Sequence, residues 1–189
     1  AQSVLQAPEP QGSSSEAVLK IPGDDEGLIW LNNIENDKKY AQFGQSLQEF
    51  LRPTFPGVIR RLRYNYLNLM IFVDPLSKDV HAIHDVIDTL SQNNLPVRVG
   101  VVLTGTSEKS LAASAVFHFL LKHNKEKNKS KMYTWNKWIA LLTEKLDSAS
   151  IKKLTGVDKD TITAEESEAY KNAFKMMNFG RAIGVGEDS

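Results

Sequence analysis

The sequence predicts an α/β fold in which a strand–helix–strand unit is followed by a large helical segment. Two apolar runs, at residues 67–73 and 97–103, have the length and composition of buried strands, and a helical pattern lies between them. After Gly105 the apolar residues recur only at helical spacing. With 189 residues, 41% of them hydrophobic, the chain is long enough for one domain with its own core.

The N-terminal end predicts a linker or a poorly ordered end rather than a folded element. Residues 1–15 are rich in Gln, Ser and Pro and contain little that could be buried. We therefore expect the folded domain to span residues 16–189, starting with a short alternating pattern at 18–21. The chain does not begin with Met, which suggests a piece of a longer protein.

The first apolar run, LNLMIFV at residues 67–73, is the strongest strand candidate. Because nearly every residue is apolar, we expect a central strand covered on both faces. A helix is predicted over 77–94, and a second strand over 97–103. A strand, a helix and a strand in this order predict a parallel pair with a right-handed crossover.

The remainder predicts a helical subdomain at about 107–180. We expect helices over 107–124, 130–147 and 163–181. The second helix has Trp135 and Trp138 on one face. Thr163 and Glu166 have the spacing of a capping box at the start of the third helix.

The last of these helices has an unusually wide apolar surface. At 100° per residue its apolar arc covers roughly 220°, about twice what a one-sided amphipathic helix requires. The helix is therefore either buried on two sides or exposes a strip to a partner, for which Met is well suited. The residues that carry this arc include Phe174, Met176, Met177, Phe179 and Ile183.

Composition excludes several classes of function. The 23 basic and 23 acidic residues cancel, which argues against binding of nucleic acid or of an anionic membrane surface. No apolar run approaches the ~20 residues that span a bilayer. The chain contains no cysteine, so disulfides, thiolate catalysis and Cys-based zinc sites are excluded.

The sequence predicts no catalytic residue, metal site or cofactor. It contains no phosphate-binding Gly-rich loop and no GxSxG or HExxH motif. His81 and His84 have no identifiable third ligand, and the acidic pair at 158 and 160 fits a helix N-terminus better than a metal site. Asn128, in the sequence Asn-Lys-Ser, is a candidate for N-glycosylation.

Four stretches in the first half of the chain are distinctive. They are IWLNN at 29–33, SLQEFLRPTFPGVIR at 46–60, NLMIFVDP at 68–75 and LPVRVG at 95–100. In this order they closely resemble the UDP-glucose:glycoprotein glucosyltransferase family. The resemblance covers residues 28–103 well and the helical remainder loosely. It points to one of the thioredoxin-like domains, the third, in the non-catalytic N-terminal part of that family.

The resemblance implies a thioredoxin-like fold with a large helical insertion after the second central strand. A redox-active CxxC would fall at residues 74–77, which read Asp-Pro-Leu-Ser and contain no thiol. Such a fold ends in a β-hairpin and a helix, yet no strand pair follows residue 184. Either that hairpin lies outside the chain or residues 18–21 replace it.

The resemblance also implies a cellular role. The family re-glucosylates N-glycans of incompletely folded glycoproteins in the endoplasmic reticulum lumen, using a catalytic domain that this chain lacks. We therefore expect a client-binding surface for exposed apolar segments, or a lid over one, formed by the apolar arc of the last helix together with Trp135 and Trp138. The alternative is a structural spacer that orients the other domains of the same enzyme without touching clients.

Overall fold

The computed structural model describes residues 27–105 and 107–182, apart from the side chain of Phe50. The predicted linker at 1–15, the pattern at 18–21 and Ile183 lie outside the described residues. Within them, the strands are β1 (Ile29–Trp30), β2 (Leu67–Val73) and β3 (Val97–Leu103). The α-helices are α1 (Val80–Gln92), α2 (Glu108–Glu126), α3 (Lys131–Thr143), α4 (Ser148–Thr155), α5 (Lys159–Thr163) and α6 (Glu168–Ala182).

The three strands form one mixed sheet in the order β1-β3-β2. β2 runs parallel to β3 along its whole length, from Leu67 opposite Val97 to Val73 opposite Leu103. β1 is antiparallel to β3 on the other side, with Ile29 opposite Val101. The predicted strand–helix–strand unit and its parallel pairing are therefore confirmed, with the strand bounds as expected.

The position predicted for β2 is wrong within the described residues, because β2 is an edge strand and β3 is the central one. Leu67 and Leu69 at the start of β2 are exposed, whereas the end of the strand, at Val73, is buried. β3 is buried continuously from Val99 to Leu103. An apolar run predicts a strand, but strand order depends on pairing partners that are distant in the sequence and that the run does not specify.

The helical segment contains five helices where the sequence predicted three. The predicted second helix ends at Thr143, since Lys145 and Leu146 adopt positive φ values of 56° and 54° that no helix contains. The predicted capping box at Thr163 is also wrong. Thr163 is the last residue of α5, and the hydroxyl oxygen of Ser167 accepts from the backbone N–H of Tyr170 (3.0 Å) at the start of α6.

One large core joins the sheet to the helical segment. Its residues come from all three described strands and from each of the helices α1 to α6, and α2 packs against α3, α5 and α6. The helical segment is therefore part of the same core as the sheet.

Among the described helices, none combines the length and the apolarity needed to cross a bilayer.

Candidate functional site

The turn after β2 is the place where a thioredoxin-like protein would carry its cysteines. Here Asp74 Oδ1 accepts from the Leu76 backbone N–H (2.9 Å) and from the Ser110 hydroxyl (2.7 Å). A Cβ atom at Gly105 would lie 2.5 Å from the same oxygen and 2.3 Å from Ser110 Cβ. The Asp74 carboxylate thus connects the turn to α2 by hydrogen bonds. Its role is structural and involves no thiol.

The methionines of α6 point into the core. Met176 and Met177 are buried, and the Met176 sulfur accepts from the backbone N–H of Leu103 at 3.0 Å. Gly180 lies so close to Thr104, the residue after β3, that a Cβ there would be 2.6 Å from Thr104 Cγ2. This side of α6 is packed against the sheet and is not accessible to a partner.

Trp135 and Trp138 are also fully buried. Their ring centroids lie 5.2 Å apart, and each ring contacts Phe117 of α2, at 5.8 and 4.9 Å respectively. The Trp138 Nε1–H donates to the carbonyl oxygen of Ala113 at 2.9 Å. These rings join α3 to α2 and form an interior aromatic cluster.

Of the described residues expected to bind clients, only two reach the surface. Phe174 is 45% exposed and Phe179 is partly buried. The structure does not bring them together with Trp135, Trp138, Met176 and Met177 on one accessible face. A client could contact those four buried side chains only if α6 moved away, so their role as a site beneath a lid stays a prediction.

The main exposed apolar surface lies elsewhere, in residues 46–60, which we call the apolar loop. Its side chains project into solvent to an extent that is unusual for residues of this type. The exposed fractions are Leu47 62%, Leu51 85%, Phe55 85%, Val58 57% and Ile59 44%. The exposed start of β2, Leu67 and Leu69, adds to the apolar residues on the surface.

The apolar loop is held in place by polar contacts at its ends. Ser46 caps a short 3₁₀ helix at Leu47–Leu51, and Arg52 pairs with Glu49 at 2.9 Å. The Tyr64 hydroxyl donates to the carbonyl oxygen of Gln45 (2.6 Å), and that of Tyr66 donates to the carbonyl oxygen of Arg60. These bonds fix the loop while its apolar side chains remain uncovered by described residues.

A groove of about 590 Å³ adjoins the second half of the apolar loop. Its lining includes the apolar side chains of Val58, Ile59, Leu62 and Leu95. A groove of this size could accept one or two apolar side chains of a partner. The sequence signal was present: six apolar residues share this loop with Pro53, Pro56 and Gly57, which prevent a regular helix from burying them.

In the described part of the chain, no group of three or more His, Asp or Glu side chains is arranged so that it could hold a metal ion. Asp158 of the acidic pair is the residue before α5 and pairs with Lys152 at 2.9 Å. It therefore acts in local helix packing.

Asn128 lies in the tight turn between α2 and α3, exposed and with a φ of 55°. An exposed turn is accessible to the glycosylation machinery. We expect Asn128→Gln to lower the mass by that of one N-glycan when the chain is made in a eukaryotic secretory pathway. Intact-mass measurement, with Asn124→Gln as the control outside the motif, checks this; equal masses apart from the substitution would contradict it.

Comparison with known proteins adds a family relationship to this geometry. The sequence profile of a protein family described as "Thioredoxin-like domain" matches residues 13–182. This range includes the sheet, the apolar loop and all of the described helices.

Several curated proteins are similar to parts of the chain. UDP-glucose:glycoprotein glucosyltransferase 1 of Rattus norvegicus is 41% identical over 75 residues, which is 40% of this chain and 5% of the relative. The Drosophila melanogaster UDP-glucose:glycoprotein glucosyltransferase is 34% identical over 90 residues (48% and 6%). UDP-glucose:glycoprotein glucosyltransferase 2 of Homo sapiens is 23% identical over 175 residues (81% and 11%). The chain thus spans about a tenth or less of the length of these relatives.

Proposed function

Because this chain belongs to the thioredoxin-like domain family, we propose that it is a non-catalytic module of a UDP-glucose:glycoprotein glucosyltransferase in the endoplasmic reticulum lumen. Its similarity to segments of those enzymes supports the assignment to such a protein. The lack of cysteine removes the redox chemistry of the fold. The function of the module is then binding and not catalysis.

The module binds exposed apolar segments of misfolded glycoproteins. The apolar loop carries this proposal, since five large apolar side chains there are between 44% and 85% exposed. An unfolded protein differs from its folded form by the apolar side chains that it exposes, and a complementary apolar surface binds them through the hydrophobic effect. Phe174 and Phe179 of α6 are the remaining accessible candidates.

A second function, a spacer that orients neighbouring domains, is favoured by another observation. The residues that the sequence marked for client contact, above all Met176 and Trp138, are core residues in the structure. In this case the apolar loop packs against an adjacent domain of the same enzyme, and clients bind elsewhere.

The test measures binding of a chemically unfolded N-glycoprotein to the chain, with its folded form as the reference. We expect Leu51→Ser/Phe55→Ser to weaken binding of the unfolded form at least tenfold. Tenfold corresponds to about 1.4 kcal/mol, less than the ~1.5–3 kcal/mol gained by burying one such side chain. Calorimetry or fluorescence anisotropy provides the dissociation constants.

The matched control is Leu76→Ser/Val86→Ser, which removes two apolar side chains that are 50% and 53% exposed, outside the apolar loop. Binding should change by less than twofold in this variant. Equal affinity for folded and unfolded glycoprotein, or equal losses in both variants, would favour the spacer.

A further inference from the structure

A large cavity opens between α2, α3, α5 and α6, on the side of the domain where the described chain begins at Gly27. Its volume is about 1090 Å³, at the upper end of the range of small-molecule sites. Three partly buried apolar side chains, Phe119, Leu121 and Val157, form part of its wall. The cavity therefore offers apolar surface beside its polar residues.

The charged residues of this cavity are predominantly basic. Among the described residues, five lysines and two glutamates line it, an excess of three positive charges in a chain whose formal charge is zero. Lys122 pairs with Glu168 at 2.5 Å. Lys125 and Lys175 are exposed and make no ion pair with any described residue. These two ammonium groups are available for an anionic ligand. The charged residues of the lining are Lys122, Lys125, Glu126, Lys129, Lys131, Glu168 and Lys175.

Two histidines of α2 provide an independent sign of a missing partner. His118 and His123 both line the cavity, and the Nε2 atom of each is buried without a hydrogen-bond partner in the described residues. Buried polar atoms in folded proteins are normally hydrogen-bonded, and each exception requires an explanation. The His123 ring stacks on Phe119, which also lines the cavity, with ring centroids 6.1 Å apart. A ligand oxygen in the cavity would provide these rings with an acceptor.

We propose that this cavity binds a small amphipathic organic anion. Its carboxylate, sulfonate or phosphate group contacts Lys125 and Lys175, and its apolar body lies against Phe119, Leu121 and Val157. The excess of lysines favours an anion over a neutral or cationic ligand, the apolar side chains accommodate its organic body, and the ring nitrogens can donate to its oxygens. The site is separate from the apolar loop and does not depend on client binding.

The test uses two naphthalene dyes of similar size on the full chain. 8-Anilinonaphthalene-1-sulfonate carries the anionic group, and N-phenyl-1-naphthylamine is its neutral analogue. We expect the anionic dye to bind at least tenfold more tightly, and its affinity to fall as salt is added. Lys125→Glu/Lys175→Glu should weaken the anionic dye at least tenfold and leave the neutral dye within twofold.

A control variant with the same change in net charge is Lys109→Glu/Lys153→Glu, because both lysines are exposed and neither lines the cavity. It should keep the affinity of the original chain within twofold. Equal affinity for the two dyes, or equal losses in the two charge-reversal variants, would overturn the proposal.

NMR spectra locate the bound dye. The ring resonances of His118 and His123 should shift when the anionic dye binds; unchanged rings would place it elsewhere and overturn the proposal.

Discussion

Trp138→Ala is expected to lower the free energy of unfolding by about 4 kcal/mol, a large fraction of the 5–15 kcal/mol typical of a whole domain. The indole is fully buried, contacts the rings of Phe117 and Trp135, and donates to the carbonyl oxygen of Ala113. Alanine removes these contacts and leaves a cavity that the surrounding helices can fill only in part. Chemical denaturation monitored by circular dichroism gives the value.

Tyr133→Ala is the control on the same helix. Tyr133 is 40% exposed, and the ammonium groups of Lys129 and Lys137 lie 5.6 and 5.7 Å from its ring centroid. Its replacement should cost less than about 1 kcal/mol. Similar losses in the two variants would mean that Trp138 does not connect α2 and α3 as described.

The second large effect is a pH dependence due to His118. Burial lowers the pKa of this imidazole from 6.5 to about 4. Between pH 6.5 and pH 4 the unfolded chain binds a proton at this histidine that the folded chain does not bind. His118 therefore lowers the free energy of unfolding little above pH 6.5 and increasingly as the pH falls below it. We expect His118 to lower the free energy of unfolding by about 2 kcal/mol between pH 7 and pH 5, and by about 3 kcal/mol between pH 7 and pH 4.

His118→Leu should remove this part of the slope, whatever its effect on stability at neutral pH. Denaturation curves measured at pH 7 and pH 5 for both proteins isolate the histidine, because most carboxylates remain ionised over this range. If both proteins lose the same free energy between the two pH values, His118 is not responsible.

The sequence predicted the strands that have long apolar runs and the helices that have a clear period. β2, β3, α1 and α2 lie within a few residues of the expected bounds. α4 and α5 were missed because eight and five residues show too little of a period to be recognised. The order of the strands could not be predicted, since the apolar composition of β2 does not reveal which strand pairs with it.

The candidate site shows a similar limit. The wide apolar arc of α6 correctly indicated contacts on more than one side, but an arc does not distinguish a contact inside the domain from one with a partner. The most exposed apolar side chains belong to the apolar loop, one of the four stretches that resemble the glucosyltransferase family. Its prolines made it irregular, so that no period suggested which of its residues face solvent.

The buried sulfur of Met176 makes oxidation of this side chain depend on the transient opening of α6. A thioether that is buried and hydrogen-bonded to β3 cannot meet peroxide until α6 separates from the sheet. Once oxidised, the polar sulfoxide would no longer fit between helix and strand and would hinder reclosure. Oxidation would thus make a transient opening of this helix persist. The fraction of Met176 present as sulfoxide would increase with the frequency of the opening.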